Sequence, residues 1–133
     1  MKGFRRFLAE MTHYHGTTKA NADSILRTGL DPKRYQSGMF RGVYLTPNLD
    51  YFGGRQPEAI LAVELDDSAV LDVRDVTDAD LEAIDPGYRS MSYGYRNSLI
   101  EKVARAKGKG AIRNGKEVVV IDPAAVQSVR PYP

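Results

Sequence analysis

The sequence contains no cysteine. That absence removes disulfides, thiolate metal sites and cysteine nucleophiles together. Long apolar runs are missing as well. No stretch approaches the ~20 apolar residues of a membrane span, and the N-terminal MKGFRRFLAEM carries positive charge with no signal-peptide apolar run behind it. The cytoplasm is therefore the expected compartment, and no membrane partner is expected. Strong charge of either sign is also lacking. Lys and Arg number 19 against 17 Asp and Glu, a net charge of +2, which falls short of a nucleic-acid-binding signature. With no repeat, low-complexity stretch or linker, residues 1–133 read as one domain.

What is present is average for a globular chain, 42% hydrophobic and 27% charged residues. Basic residues gather at Arg5, Arg6, Lys33, Arg34 and Arg41, then at Arg96, Lys102, Arg105, Lys107, Lys109 and Arg113, while acidic ones crowd the middle from Glu64 to Asp85. Most of these read as solvated surface, with a cationic face for phosphates as the alternative.

The pattern along the chain predicts a strand over 12–16, then a helix capped by Thr17 or Thr18 and ended by Gly29, with Pro32 preventing continuation. Gly42 to Thr46 reads as a strand stopped by Pro47. The apolar run Ala59–Leu65 reads as a central strand buried on both faces, and Val70–Val73 as a second short one. A brief helix over 77–84 takes Thr77 as N-cap. Residues 88–96 read as a loop and 98–107 as a helix capped by Asn97 or Ser98. Two further strands meet at an Asn114-Gly115 turn, and Val126–Val129 closes the order. Strands dominate and helices do not alternate regularly with them, which predicts α+β.

Three segments carry chemistry. In His15-Gly16-Thr17 a histidine ends a strand beside a glycine, and glycine lets a flat ligand approach the main-chain N–H and C=O. Those groups complement a carboxamide; the plainer alternative is a core histidine and a turn glycine. Tyr44, in Gly42-Val43-Tyr44-Leu45-Thr46, is by itself a packing residue. Glu117 heads the apolar strand Glu117-Val118-Val119-Val120-Ile121, where a carboxylate is either solvated or turned into a cleft built by strand ends. His13 and His15 share a strand face without the carboxylates a metal would need, so no metal is expected. Tyr88, Tyr93 and Tyr95 read either as a recognition loop or as cover for a small core. Asp72 and Asp75 read as surface.

Taken in order, these three motifs resemble the His-Tyr-Glu class of ADP-ribosyltransferases, which includes diphtheria-type toxins and poly(ADP-ribose) polymerases. The resemblance runs from about His13 to Val129. It implies a split β-sandwich of two small antiparallel sheets with flanking helices, and NAD+ as co-substrate. His15 would then hydrogen-bond the adenosine ribose, and the Gly16-Thr17 backbone would hold the nicotinamide amide. Tyr44 would line the nicotinamide pocket, with Tyr51 stacking on the ring and Phe52 in reserve. Glu117 would bind the 2′-hydroxyl of the nicotinamide ribose. Arg34 and Arg41, which flank the loop before the Tyr44 strand, read either as contacts for the pyrophosphate or an anionic target or as plain surface arginines.

The implied activity is mono-ADP-ribosyl transfer to a macromolecular acceptor, protein or nucleic acid, by a bacterial or phage effector or toxin with an antitoxin or immunity partner left open. Loss of nicotinamide leaves positive charge on the ribose, which a fixed carboxylate stabilises more in the transition state than before it. Gly115 stands two positions before Glu117, where arginine-modifying relatives carry a second glutamate, so an arginine acceptor is disfavoured. The competing expectations are an NAD+-dependent RNA 2′-phosphotransferase, which shares a related His-Gly-Thr start, and a non-catalytic NAD+ or ADP-ribose-binding module.

Overall fold

A computed structural model describes residues 10–35, 40–52 and 56–133; Arg5 and Arg6 lie outside the described residues. The chain runs through β1 (Glu10–Thr17), α1 (Lys19–Thr28), β2 (Val43–Leu45), β3 (Ala59–Asp66) and β4 (Val70–Asp72). It continues through α2 (Asp78–Ile84), α3 (Tyr93–Ala106), β5 (Ala111–Asn114), β6 (Glu117–Val120) and β7 (Val126–Pro131). One sheet is ordered β1-β3-β7 and the other β2-β6-β5-β4. This is the mixed α+β arrangement that the strand-dominated order predicts, with one difference. β4 lies parallel to β5, pairing Val70 with Ala111 and Asp72 with Arg113, so the second sheet is mixed. Parallel neighbours need a long crossover, and α2 and α3 supply it.

Local chemistry sets the ends of the helices. The Thr18 hydroxyl accepts from Asn21 N–H at the start of α1, and Gly29, at φ 87, closes it through a bond to the Ile25 carbonyl. Thr77 and Asp80 form a reciprocal capping box on α2. α3 begins five residues before the Ser98 start that its apolar spacing predicts. Its cap is Ser92, whose hydroxyl accepts from Tyr95 N–H. The extra turns are held by tertiary pairing, the Tyr95 hydroxyl donating to Asp85, which apolar periodicity does not register. Residues 88–96 are therefore a short 3-10 turn and a helix start, not a loop. The β5–β6 hairpin also shifts by one. Asn114 pairs with Glu117, so the two turn residues are Gly115 and Lys116, with Gly115 at φ 65.

The β2–β6 sheet has a hydrophobic cluster on each face. Val43, Leu45, Val118 and Val120 point toward Leu61, Val63 and Leu65 of the other sheet, together with Ala22 and Ile25 of α1. Val119, Ile112 and Leu71 point away, beneath Leu81 of α2 and Leu99, Ile100 and Val103 of α3. Each such fully buried aliphatic side chain contributes about 1.5–3 kcal/mol. β3 is central in its sheet but is not sealed on both sides. Leu61, Val63 and Leu65 are buried on the inter-sheet face; on the opposite face Ala62 is buried too, whereas Ile60 and Glu64 are partly exposed. No helix among the described residues is long and apolar enough to cross a membrane.

Candidate active site

β1 and β2 touch at one point. Tyr14 and Thr46 exchange two backbone hydrogen bonds, 2.8 and 2.9 Å. In antiparallel strands the peptide groups of alternate residues face alternate edges. Those of Tyr14 face β2, so those of Gly16 do too, while His13, His15 and Thr17 turn theirs toward β3. An uninterrupted ladder would next pair Gly16 with Tyr44. Instead the strands part, and the Tyr44 carbonyl takes the Nδ1–H of His15 at 3.1 Å. The Gly16 N–H and C=O face the opening with no hydrogen bond to another described residue.

A carbonyl can only accept, so the bond to Tyr44 fixes the His15 tautomer, with the proton on Nδ1 and a lone pair on Nε2. The imidazole faces the cluster between the sheets and is only 9% exposed. Burial holds its pKa below the usual histidine value, against a smaller opposing effect of the Tyr44 carbonyl. Nε2 is buried without a partner among the described residues, an uncommon state for a buried acceptor. His13, two residues back on the same face, is 3% exposed and its Nδ1 is likewise unpartnered. The ring packed edge-on against His15 is Tyr35, at 5.8 Å between centroids. Nothing in the spacing of the sequence singles Tyr35 out.

Gly16 is tightly covered on the sheet's other face. A Cβ there would lie 2.7 Å from Phe52 Cε1 and 2.8 Å from Pro57 Cγ, so only glycine fits without displacing these side chains. Phe52 is thus the aromatic residue brought against Gly16. Tyr51 shares its 3-10 turn, Leu49–Phe52, but the Tyr51 side chain lies outside the described residues. Thr17 ends β1 opposite Ala59.

Tyr44 and Glu117 share the opposite face of the β2–β6 sheet. Tyr44 pairs with Val119 and Leu45 with Val118; continuing that register sets Glu117 opposite Thr46. The Tyr44 hydroxyl donates to the Phe40 carbonyl at 3.0 Å and accepts from Phe40 N–H at 2.8 Å. That hydroxyl is occupied by its own loop, so Tyr44 offers a ring rather than a proton. Glu117 is half-buried, and its carboxylate makes no side-chain hydrogen bond or ion pair to another described residue. His15, Tyr44 and Glu117 therefore come from three neighbouring strands, but the His15 imidazole meets the backbone of Tyr44, not its ring.

Other expected residues fall elsewhere. Arg41 sits at the far end of β2, where its N–H donates to Glu101 at 2.7 Å, away from the Glu117 end of β6. Arg34 is exposed beside Ser24. Several of the clustered basic residues serve the fold: Lys107 pairs with Asp80, Arg113 with Asp67, and Arg105 donates to the Ile121 carbonyl. Tyr88 is buried with its hydroxyl on Asp78, so Tyr88 and Tyr95 are core cover; the Tyr93 side chain lies outside the described residues. Asp72 is held by Arg74. Among the described residues no group of three or more His, Asp or Glu could hold a metal ion. A cleft of about 550 Å³ opens between the start of α1 and the ends of β3 and β7. It holds none of His15, Tyr44 and Glu117, but is lined by Ile60 and Leu61, which pair with Gly16 and His15, and by Pro57, which covers Gly16.

The class that fold and topology define is a small α+β protein of two antiparallel-rich sheets. Its likeness to solved structures agrees. One described as an anti-CRISPR protein superposes with a TM-score of 0.54 at 12% identity, over 92% of this chain and 96% of that one. At that identity the likeness is one of fold. No family model matches the chain, and no curated protein matches it significantly.

Proposed function

We propose that this chain is an NAD+-dependent mono-ADP-ribosyltransferase, with its two sheets forming the split sandwich of that family. The observation that carries the reading is the parting of β1 and β2 at Gly16. It leaves a peptide N–H and C=O without a hydrogen-bond partner among the described residues, beside a histidine whose Nε2 can only accept. A carboxamide matches the first pair of groups and a sugar hydroxyl the second. NAD+ carries both.

In this reading the Gly16 backbone holds the nicotinamide amide, with Phe52 against that corner, and His15 Nε2 accepts from a ribose hydroxyl. Glu117 stabilises the charge that develops at C1′ as the nicotinamide bond breaks, a role that needs a carboxylate and no proton donor. The occupied hydroxyl of Tyr44 suits a wall for the ring. Arg41, at the other end of β2, has no part in this arrangement. The fold shared with an anti-CRISPR protein is compatible with an effector context.

The test is incubation of the purified chain with NAD+ labelled in the adenosine half, in the presence of host lysate. Nicotinamide release with label on a macromolecule is expected, and both vanish in Glu117→Ala. Wild-type labelling by that variant would overturn the assignment of Glu117. Failure of the wild-type chain to bind NAD+ would overturn the reading as a whole.

A further inference from the structure

His15 Nε2 is enclosed, yet the chemistry assigned to it requires contact with a ligand. The half-buried ring beside it is Tyr35, packed edge-on against the imidazole. Tyr35 directly follows the Pro32–Arg34 turn, to which it is tied by its N–H bond to the Pro32 carbonyl at 3.1 Å. It also lines a cavity of about 190 Å³, bounded by Asn21 and Ile25 of α1 and by Gly29, Asp31 and Arg34. That is roughly six times the space a water molecule takes in the liquid. One ring thus touches the buried histidine and borders an empty volume into which it can turn.

We propose that Tyr35 is a swinging cover for His15, its ring turning toward the cavity beside α1 to expose Nε2 to a ligand hydroxyl. The identity of that ligand rests on the function proposed above; the cover itself does not. With the ring in place, Nε2 is a desolvated acceptor lacking a donor among the described residues, a costly state. A hydroxyl that replaces the ring edge relieves it. Tyr35 is therefore a positioning residue, acting on ligand binding through access to His15.

The chain has just two histidines, which makes the cover measurable without a substrate. Tag-free protein is treated with diethyl pyrocarbonate, which modifies accessible neutral imidazoles, and each site is followed by peptide mass spectrometry. His13, more deeply buried and outside the cover, is the internal reference. The expected result is slow modification of both in the wild type, and about a tenfold rise in the His15-to-His13 ratio in Tyr35→Ala. Tyr35→Phe, which keeps the ring, retains the wild-type ratio. Asn21→Phe, which fills the cavity from its exposed lip, lowers it. An unchanged ratio in Tyr35→Ala overturns the proposal, whether both sites stay slow or both accelerate together through general loosening. NAD+ binding is measured on the same samples. A shifted ratio without NAD+ binding keeps the cover and removes the proposed ligand, so the two failures are distinguishable.

Discussion

The two faces of the β2–β6 sheet bury polar groups in opposite ways. Under α2 and α3, the Tyr88 hydroxyl finds Asp78, the Tyr95 hydroxyl finds Asp85, and Thr77 and Asp80 cap each other. Between the sheets, His13 Nδ1 and His15 Nε2 have no partner among the described residues. An unmet buried acceptor costs about 1–3 kcal/mol, so the inter-sheet seam is the strained side and the helical face the settled one. Unmet polarity of this kind is where a ligand gains most by binding. Glu117 heads β6 on the helical side of this sheet, at the strand end and only half-buried, so substitutions should divide between the strand-end site and the packed centre, one set acting on activity and the other on stability.

The largest expected effect is on activity. Glu117→Ala should lower nicotinamide release by at least about a hundredfold, as loss of one charge-stabilising group does. Its unfolding free energy from urea titration should change by no more than about 0.5 kcal/mol, the range of ordinary surface changes. Leu99→Ala is its counterpart. It empties a fully buried site beneath α3 and should cost about 2–5 kcal/mol, with nicotinamide release per folded molecule unchanged. Equal effects of both substitutions on both readouts would erase the distinction between the strand-end site and the packed helical core.

Acid should also separate them. Burial lowers the pKa of His13, helped by Arg113 and opposed by Glu64 and a Met11 backbone bond, and burial lowers that of His15. Both sit below the ordinary 6.5, so below that pH the unfolded chain binds protons that the folded chain refuses. The histidine contribution is fully present above about 6.5 and falls as pH drops toward the depressed folded values, by up to ~1.4 kcal/mol per pH unit for each. His13→Leu should roughly halve that slope in urea titrations between pH 6.5 and 5. The helical face responds in a lower window. Asp85 is held down mainly by the Tyr95 hydroxyl and Asp80 by the Thr77 backbone, so their contributions persist until pH falls below 3.8, the ordinary carboxylate value. An unaltered slope in His13→Leu would mean that the buried histidines do not govern acid sensitivity.

How far the chain could be read in advance follows from how local each cause is. Thr18, Gly29 and the Thr77–Asp80 box act within one helical turn, and the sequence displays them. The strand order at His15, Tyr44 and Glu117 was legible as motifs, and the structure sets them on neighbouring strands. The early start of α3 was hidden because Tyr95 is held by Asp85 across the interface, although Ser92, three residues before Tyr95, was a cap in plain view. The parallel β4–β5 pairing depends on where two helices return the chain, which no local pattern encodes. Tyr35 was invisible for the same reason. Its role arises from meeting His15 twenty positions away in sequence, and only packing creates that encounter.

The smallest effects test the settled face directly. Tyr88→Phe removes a hydroxyl while keeping the ring, and the Asp78 carboxylate it leaves is exposed and can turn to water. Since no buried acceptor is stranded, the cost should be the net value of one hydrogen bond, about 0.5–1.5 kcal/mol. Nicotinamide release should not change. If Tyr88→Phe instead weakened NAD+ turnover, the tyrosines under α3 would belong to the site with Tyr44 and Glu117, which share that face, and the packed part of it could no longer be regarded as scaffold alone.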